Sequence, residues 1–194
     1  MPARPVRGLR LAPLACLLAV AIPGAALAAG PIPSPIGVGA PYHPAPGAVP
    51  VAGLRCARAE PSRFGAHLEL FAHRRVVIVP AGIGIAPPLR RQGAYVLGGR
   101  CSYPLRTREP TGVVEVERGA SLTLGRLFQV WGQPLSKTRL VGFVSRSPIL
   151  AFVDGRRWRG DPGAIPLRPH AQIVLELGGY VPPHPYFLFA GGDS

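Results

Sequence analysis

Two short runs of strand-favouring residues, Ala66 to Phe71 and Arg75 to Val79, are separated by Ala72-His73-Arg74, which predicts a hairpin. Pro80-Ala81-Gly82 stops the second strand, and Ile83-Gly84-Ile85 leads into a polar, proline-containing loop that runs to Gly99. Over Val113 to Glu117 the period is two: Val114 and Val116 share one face, Glu115 and Glu117 the other, as in a half-buried strand. The period lengthens over Thr123 to Trp131, where Leu124, Leu127, Phe128 and Trp131 recur at helical spacing. Ser121 or Thr123 can cap this helix, and Gly132 with Pro134 stops it. Large apolar groups at that spacing assign Phe128 and Trp131 to packing rather than to ligand binding. Pro148 to Val153 predicts another strand, turned by Asp154-Gly155 into Arg156 to Arg159. Ala171 to Leu177 is the last clear strand, and the Pro- and aromatic-rich tail Val181 to Phe189 is expected to pack across a sheet edge.

These elements predict an α+β fold: a small mixed or antiparallel sheet of two hairpins plus further strands, packed on one main helix. A weak internal echo supports the two hairpins. Phe71, Arg75, Pro80, Ile83 and Ile85 resemble Phe152, Arg156, Pro162, Ile165 and Leu167, with one residue inserted before the second proline.

Outside this region the composition changes. Arg4, Arg7 and Arg10 precede an apolar run, Leu11 to Ala21, and Ala26-Leu27-Ala28 offers small residues at the positions a signal peptidase reads. Residues 1–28 therefore read as a secretory signal peptide, with Cys16 inside it, because the run is shorter than the roughly 20 residues of a spanning helix. No later stretch approaches that length, so no transmembrane segment is expected after signal removal. Residues 29–51, rich in Pro, Gly and Ala, read as an extended linker, and 52–190 as a single compact domain. The expected location is periplasmic or extracellular. Cys56 and Cys101 remain, an even count in an oxidising setting, and predict a disulfide.

Of the 22 basic residues, three arginines leave with the signal, so the remaining chain carries 19 against 9 acidic ones, a net +10. A basic surface of that size suits polyanions such as acidic envelope polymers or nucleic acid as partners, although the near-total choice of arginine, with Lys137 the sole lysine, points more to GC-rich coding than to function.

Beyond periodicity, Ala66-His67-Leu68, Val79 to Ile85, Leu105-x-Thr107, Gly112 to Glu117, Thr123-Leu124-Gly125 and Val130-Trp131-Gly132 together resemble a group of uncharacterised exported bacterial proteins. The resemblance spans Cys56 to about Pro185. That family tends to carry a His-x-His-x-His run before the first strand, Leu-His-Thr-His-Asp after the second cysteine and a further His in the next strand. The resemblance thus implies a transition-metal site. Here the corresponding positions read Arg63, Gly65 and His67, then Leu105-Arg106-Thr107-Arg108-Glu109, then Glu115. Arginine does not release its proton in a protein and does not ligate. The expected degenerate site is Arg63, His67, Arg106, Arg108, Glu109 and Glu115, in which the arginines pair with Glu109 and Glu115 or accept an anion.

No catalytic constellation accompanies it. Glu109, Glu115 and Glu117 alternate as strand residues commonly do, Ser102 and Ser121 lack a nucleophile motif, and Gly82-x-Gly84 lacks a third glycine before a helix. The sequence therefore predicts an exported, non-catalytic binding or structural protein of the cell envelope that needs no cofactor. The alternatives are a working metal protein using His67 with Glu109 or Glu115, and polyanion binding through the arginines.

Overall fold

The computed structural model describes Met1, residues 50–182 and residues 186–189. The signal segment beyond Met1, most of the 29–51 linker and His184 lie outside the described residues. Every element below belongs to one unit, Pro33–Ser194.

The first strand, β1 (Arg63–Ala72), is ten residues long and organises the rest. On one edge it pairs in parallel with β11 (Gln172–Leu177), His67 opposite Gln172. Its other edge is shared by two antiparallel strands in succession. Early in β1, Arg63 to His67 face β6 (Val113–Glu117), and at its end Leu70 to Ala72 face β2 (Arg75–Val77). Beyond β6 lies β5 (Leu105–Arg106), and beyond β11 lie β9 (Leu150–Val153) and β10 (Arg156–Trp158). The path is β10-β9-β11-β1-β6-β5, a mixed sheet of seven strands with β2 included. Two further antiparallel pairs stand apart: β3 (Arg90–Gln92) with β4 (Tyr95–Gly98), and β7 (Arg139–Leu140) with β8 (Phe143–Val144).

The predicted architecture needs correction here. Among the described residues strand far outweighs helix, and the one α-helix there, α1 (Leu124–Trp131), has eight residues. Such a helix is about 12 Å long, whereas six strands side by side span roughly 24 Å. It cannot be the platform on which the sheet packs. The inner face, Phe64, Ala66, Leu68, Leu70, Val114, Val116, Ile173 and Leu175, is instead covered jointly by α1 and by loop residues such as Val79, Ile83, Val141, Ile149 and Ile165. Within α1, Leu124, Leu127, Phe128, Val130 and Trp131 are all buried, and Gly132 ends the helix in the left-handed conformation. Thr123 sits at the N-cap without a side-chain cap bond, while Leu124 N–H donates to Ile165 O.

Both expected hairpins form, and each turns through two residues of positive φ: His73 and Arg74 (51° and 65°), then Asp154 and Gly155 (50° and 73°). Contrary to the sequence reading, the stretch before Gly99 contains the β3–β4 hairpin. All of β3 is exposed, so no apolar alternation marks it. The tail also differs. Phe187 stacks on His67 and Phe189 on His170, so this segment crosses the outer face of the sheet rather than an edge. Gln172 holds it with two hydrogen bonds, Nε2 donating to Phe187 O and Oε1 accepting from Phe187 N–H.

Candidate functional site

Strand alternation puts Arg63, Gly65 and His67 of β1, Glu115 and Glu117 of β6 and Arg106 of β5 on the outer face. Register then brings the arginines and a carboxylate together, because Arg106 lies directly opposite Glu115. Arg106 Nε donates to Glu115 Oε2 at 2.7 Å. Its Nη1 donates to Glu60 Oε2 at 2.7 Å and to Ser102 Oγ at 3.2 Å. Arg106 is buried, its side chain only 5% exposed, so these charge-assisted bonds replace the water it has lost.

Arg108 joins the same two carboxylates. Its Nε reaches Glu115 at 3.3 Å and Nη2 reaches Glu60 at 3.4 Å, while Nη1 donates to the carbonyls of Val96 and Leu97. The guanidinium also lies 5.7 Å from the ring centre of Tyr95, a cation–π contact. Through one residue, the loop after β5 is tied to β4, to β6 and to the segment before β1.

Arg63 is placed differently. Nη1 donates to Pro104 O at 2.9 Å, and Nη2 donates to Tyr103 O at 3.1 Å and Ser102 Oγ at 3.4 Å. It makes no ion pair among the described residues, and its buried Nε has no hydrogen-bond partner there. Burial pushes its guanidinium below the ordinary value, and the nearby Arg106 charge pushes the same way.

Of the remaining predicted residues, Glu109 borders this trio and His67 stands apart from it. Glu109 makes no ion pair among the described residues and lines a cavity with Arg63, Arg106, Arg108, Glu115 and Tyr95. His67 lies further along β1, hydrogen-bonded through Nε2 to Thr111 O at 2.9 Å, with its ring 4.3 Å from that of Phe187. Its Nδ1 is 4.0 Å from Glu69. Among the described residues no group of three His, Cys, Asp or Glu side chains converges to hold a metal ion. The expected pairing of the arginines with Glu109 is replaced by pairing with Glu60. Glu60 was invisible to sequence reasoning because it precedes the first strand and belongs to no periodic element. Ser102 and Tyr95 were not assigned to the site either, because only the folded chain brings them to Arg106 and Arg108.

Two further features hold the site in shape. Cys56 and Cys101 form a disulfide, Cα to Cα 5.5 Å, which fixes the segment carrying Glu60 beside that carrying Ser102. The loop Pro80 to Ile85 is knitted to β5 by the buried Thr107, whose hydroxyl donates to Pro80 O and accepts from Ile83 N–H.

Compared with known protein families, curated proteins and solved structures, the chain matches none.

Proposed function

We propose that this is an exported, non-catalytic protein of the cell envelope, a binding or structural module in which an arginine–carboxylate cluster occupies the place of a metal site. The carrying observation is that Arg106 and Arg108 share Glu60 and Glu115. A metal ion joins ligands from separate segments by drawing anionic or neutral donors to one positive centre. Here two guanidiniums occupy that centre and the carboxylates come to them, so the same segments are joined without an ion. Both shared carboxylates, Glu60 and Glu115, are already engaged by guanidiniums, which supports a non-catalytic reading. The disulfide agrees with an oxidising compartment. Calorimetric titration of the folded protein with copper or zinc tests the proposal. No stoichiometric heat is expected, and tight one-to-one binding overturns it.

A second reading, docking on acidic envelope polymers, draws on a separate observation. Arg55, Arg58, Arg90, Arg91 and Arg100 are all exposed and make no ion pair among the described residues. The disulfide, the Ala57–Ser102 bridge and the Arg100 N–H to Ala86 O bond gather their segments at one end of the sheet. Binding to a soluble acidic polysaccharide is expected to weaken steeply between 50 and 200 mM salt, the range over which a handful of charge contacts is lost. Salt-insensitive or absent binding removes this reading.

A further inference from the structure

The cavity beside the cluster has a volume of about 310 Å³, at the lower end of the range for small-molecule sites. Its lining is polar and carries both signs of charge: Arg63, Arg106 and Arg108 against Glu109 and Glu115, with the Tyr95 ring alongside. Two of the guanidiniums are neutralised in place, Arg106 and Arg108 by Glu115 and Glu60. Arg63 and Glu109 make no ion pair among the described residues, although Glu60, Glu115 and Glu117 lie near enough to Arg63 to favour its charge. Arg63 donates only to neutral oxygens of Pro104, Tyr103 and Ser102, and Glu109 has no ion-pair partner among the described residues. These two do not pair with each other, although both border the same space. Arg106 donates through Nε and Nη1, which keeps its Nη2 free of hydrogen bonds among the described residues.

We infer that this cavity is a site for a small zwitterion, a molecule of amino-acid or dipeptide size carrying one carboxylate and one ammonium. The inference deepens the binding reading above and rests on its metal-free cluster. A carboxylate near Arg63 and the Nη2 of Arg106 meets guanidinium groups, the groups best suited to it. The ammonium finds Glu109 as its counter-charge. The lining carries three guanidiniums and two carboxylates side by side, so a ligand with one charge of each sign matches it better than a dianion or a lone cation. The Tyr95 ring, 38% exposed, offers an apolar surface to a short side chain.

Calorimetry on the full-length folded protein, with alanine and dialanine as probes and acetate and methylammonium as single-charge controls, tests this. The expected result is one-site binding of alanine or dialanine, about ten-fold or more tighter than either control. Glu109→Gln is expected to weaken that binding about ten-fold while leaving the unfolding midpoint unchanged, and Tyr95→Ala to weaken it less. Absence of binding by both probes, equal binding of acetate, or full binding by Glu109→Gln overturns the inference. Those outcomes leave the metal-free cluster standing, whereas stoichiometric metal binding removes the proposed function itself.

Discussion

Arg106 is the residue on which the cluster depends. It makes the two shortest ion-pair contacts there, both 2.7 Å, from a nearly buried side chain. Arg106→Met leaves Glu60 and Glu115 with only the longer contacts to Arg108, and is expected to cost about 2–3 kcal/mol. That is below the cost of breaking a fully buried pair, because Glu60 is 56% exposed. Arg108→Met is expected to cost about 1 kcal/mol, its contacts being longer and its side chain more exposed. Arg63→Met is expected to cost less than Arg106→Met for a different reason. A base whose pKa is lowered by folding holds its proton at a cost at every pH below that value. Removing the charge recovers that cost and offsets part of the lost hydrogen bonding, and no pH dependence of stability near neutral pH should trace to Arg63. Urea unfolding of the three variants gives the order, and an Arg106→Met midpoint equal to the parent contradicts this account. The pairing of the arginines with Glu115 was legible in the sequence. Their partner Glu60 was not, because a residue before the first strand acquires its position only when the disulfide and β1 fix that segment.

Single elements carry their own constraints. The loop over β5 approaches it so closely that a Cβ on Gly84 meets the carbonyl of Leu105, and Gly84 also has φ 71°. Gly84→Ala is therefore expected to cost about 3 kcal/mol or more, from strain and overpacking together, and a loss under about 1 kcal/mol by urea unfolding argues against the close approach. The disulfide closes a sequence separation of 45. Its reduction is expected to destabilise by on the order of 4 kcal/mol, read as a lower urea midpoint in reductant. Elements with a strong local signal were readable: β1, β6, α1 and the turn at Asp154-Gly155 lie where apolar period or turn chemistry puts them. Elements without one were not. β5, β7 and β8 have two residues each, too short for a period, and β3 is polar on both faces. The parallel pairing of β1 with β11 joins segments about a hundred residues apart, and no local pattern announces it.

For the molecule as a whole, the overestimate of α1 came from treating its strong apolar face as the main cover of the sheet. That face is buried as predicted, but eight residues cover only part of a sheet this wide, and loops supply the rest. The sequence resemblance leads to the expectation of a metal site; the described residues at that position present two arginines held by two glutamates. The central claim is that this cluster joins its segments without an ion. The most direct test is elemental analysis of the protein purified from the periplasm or medium after treatment with a weak chelator. The account predicts folded protein with no retained equivalent of copper or zinc. One equivalent retained by the folded protein would contradict it, and would place His67 and the glutamates back in the role of ligands.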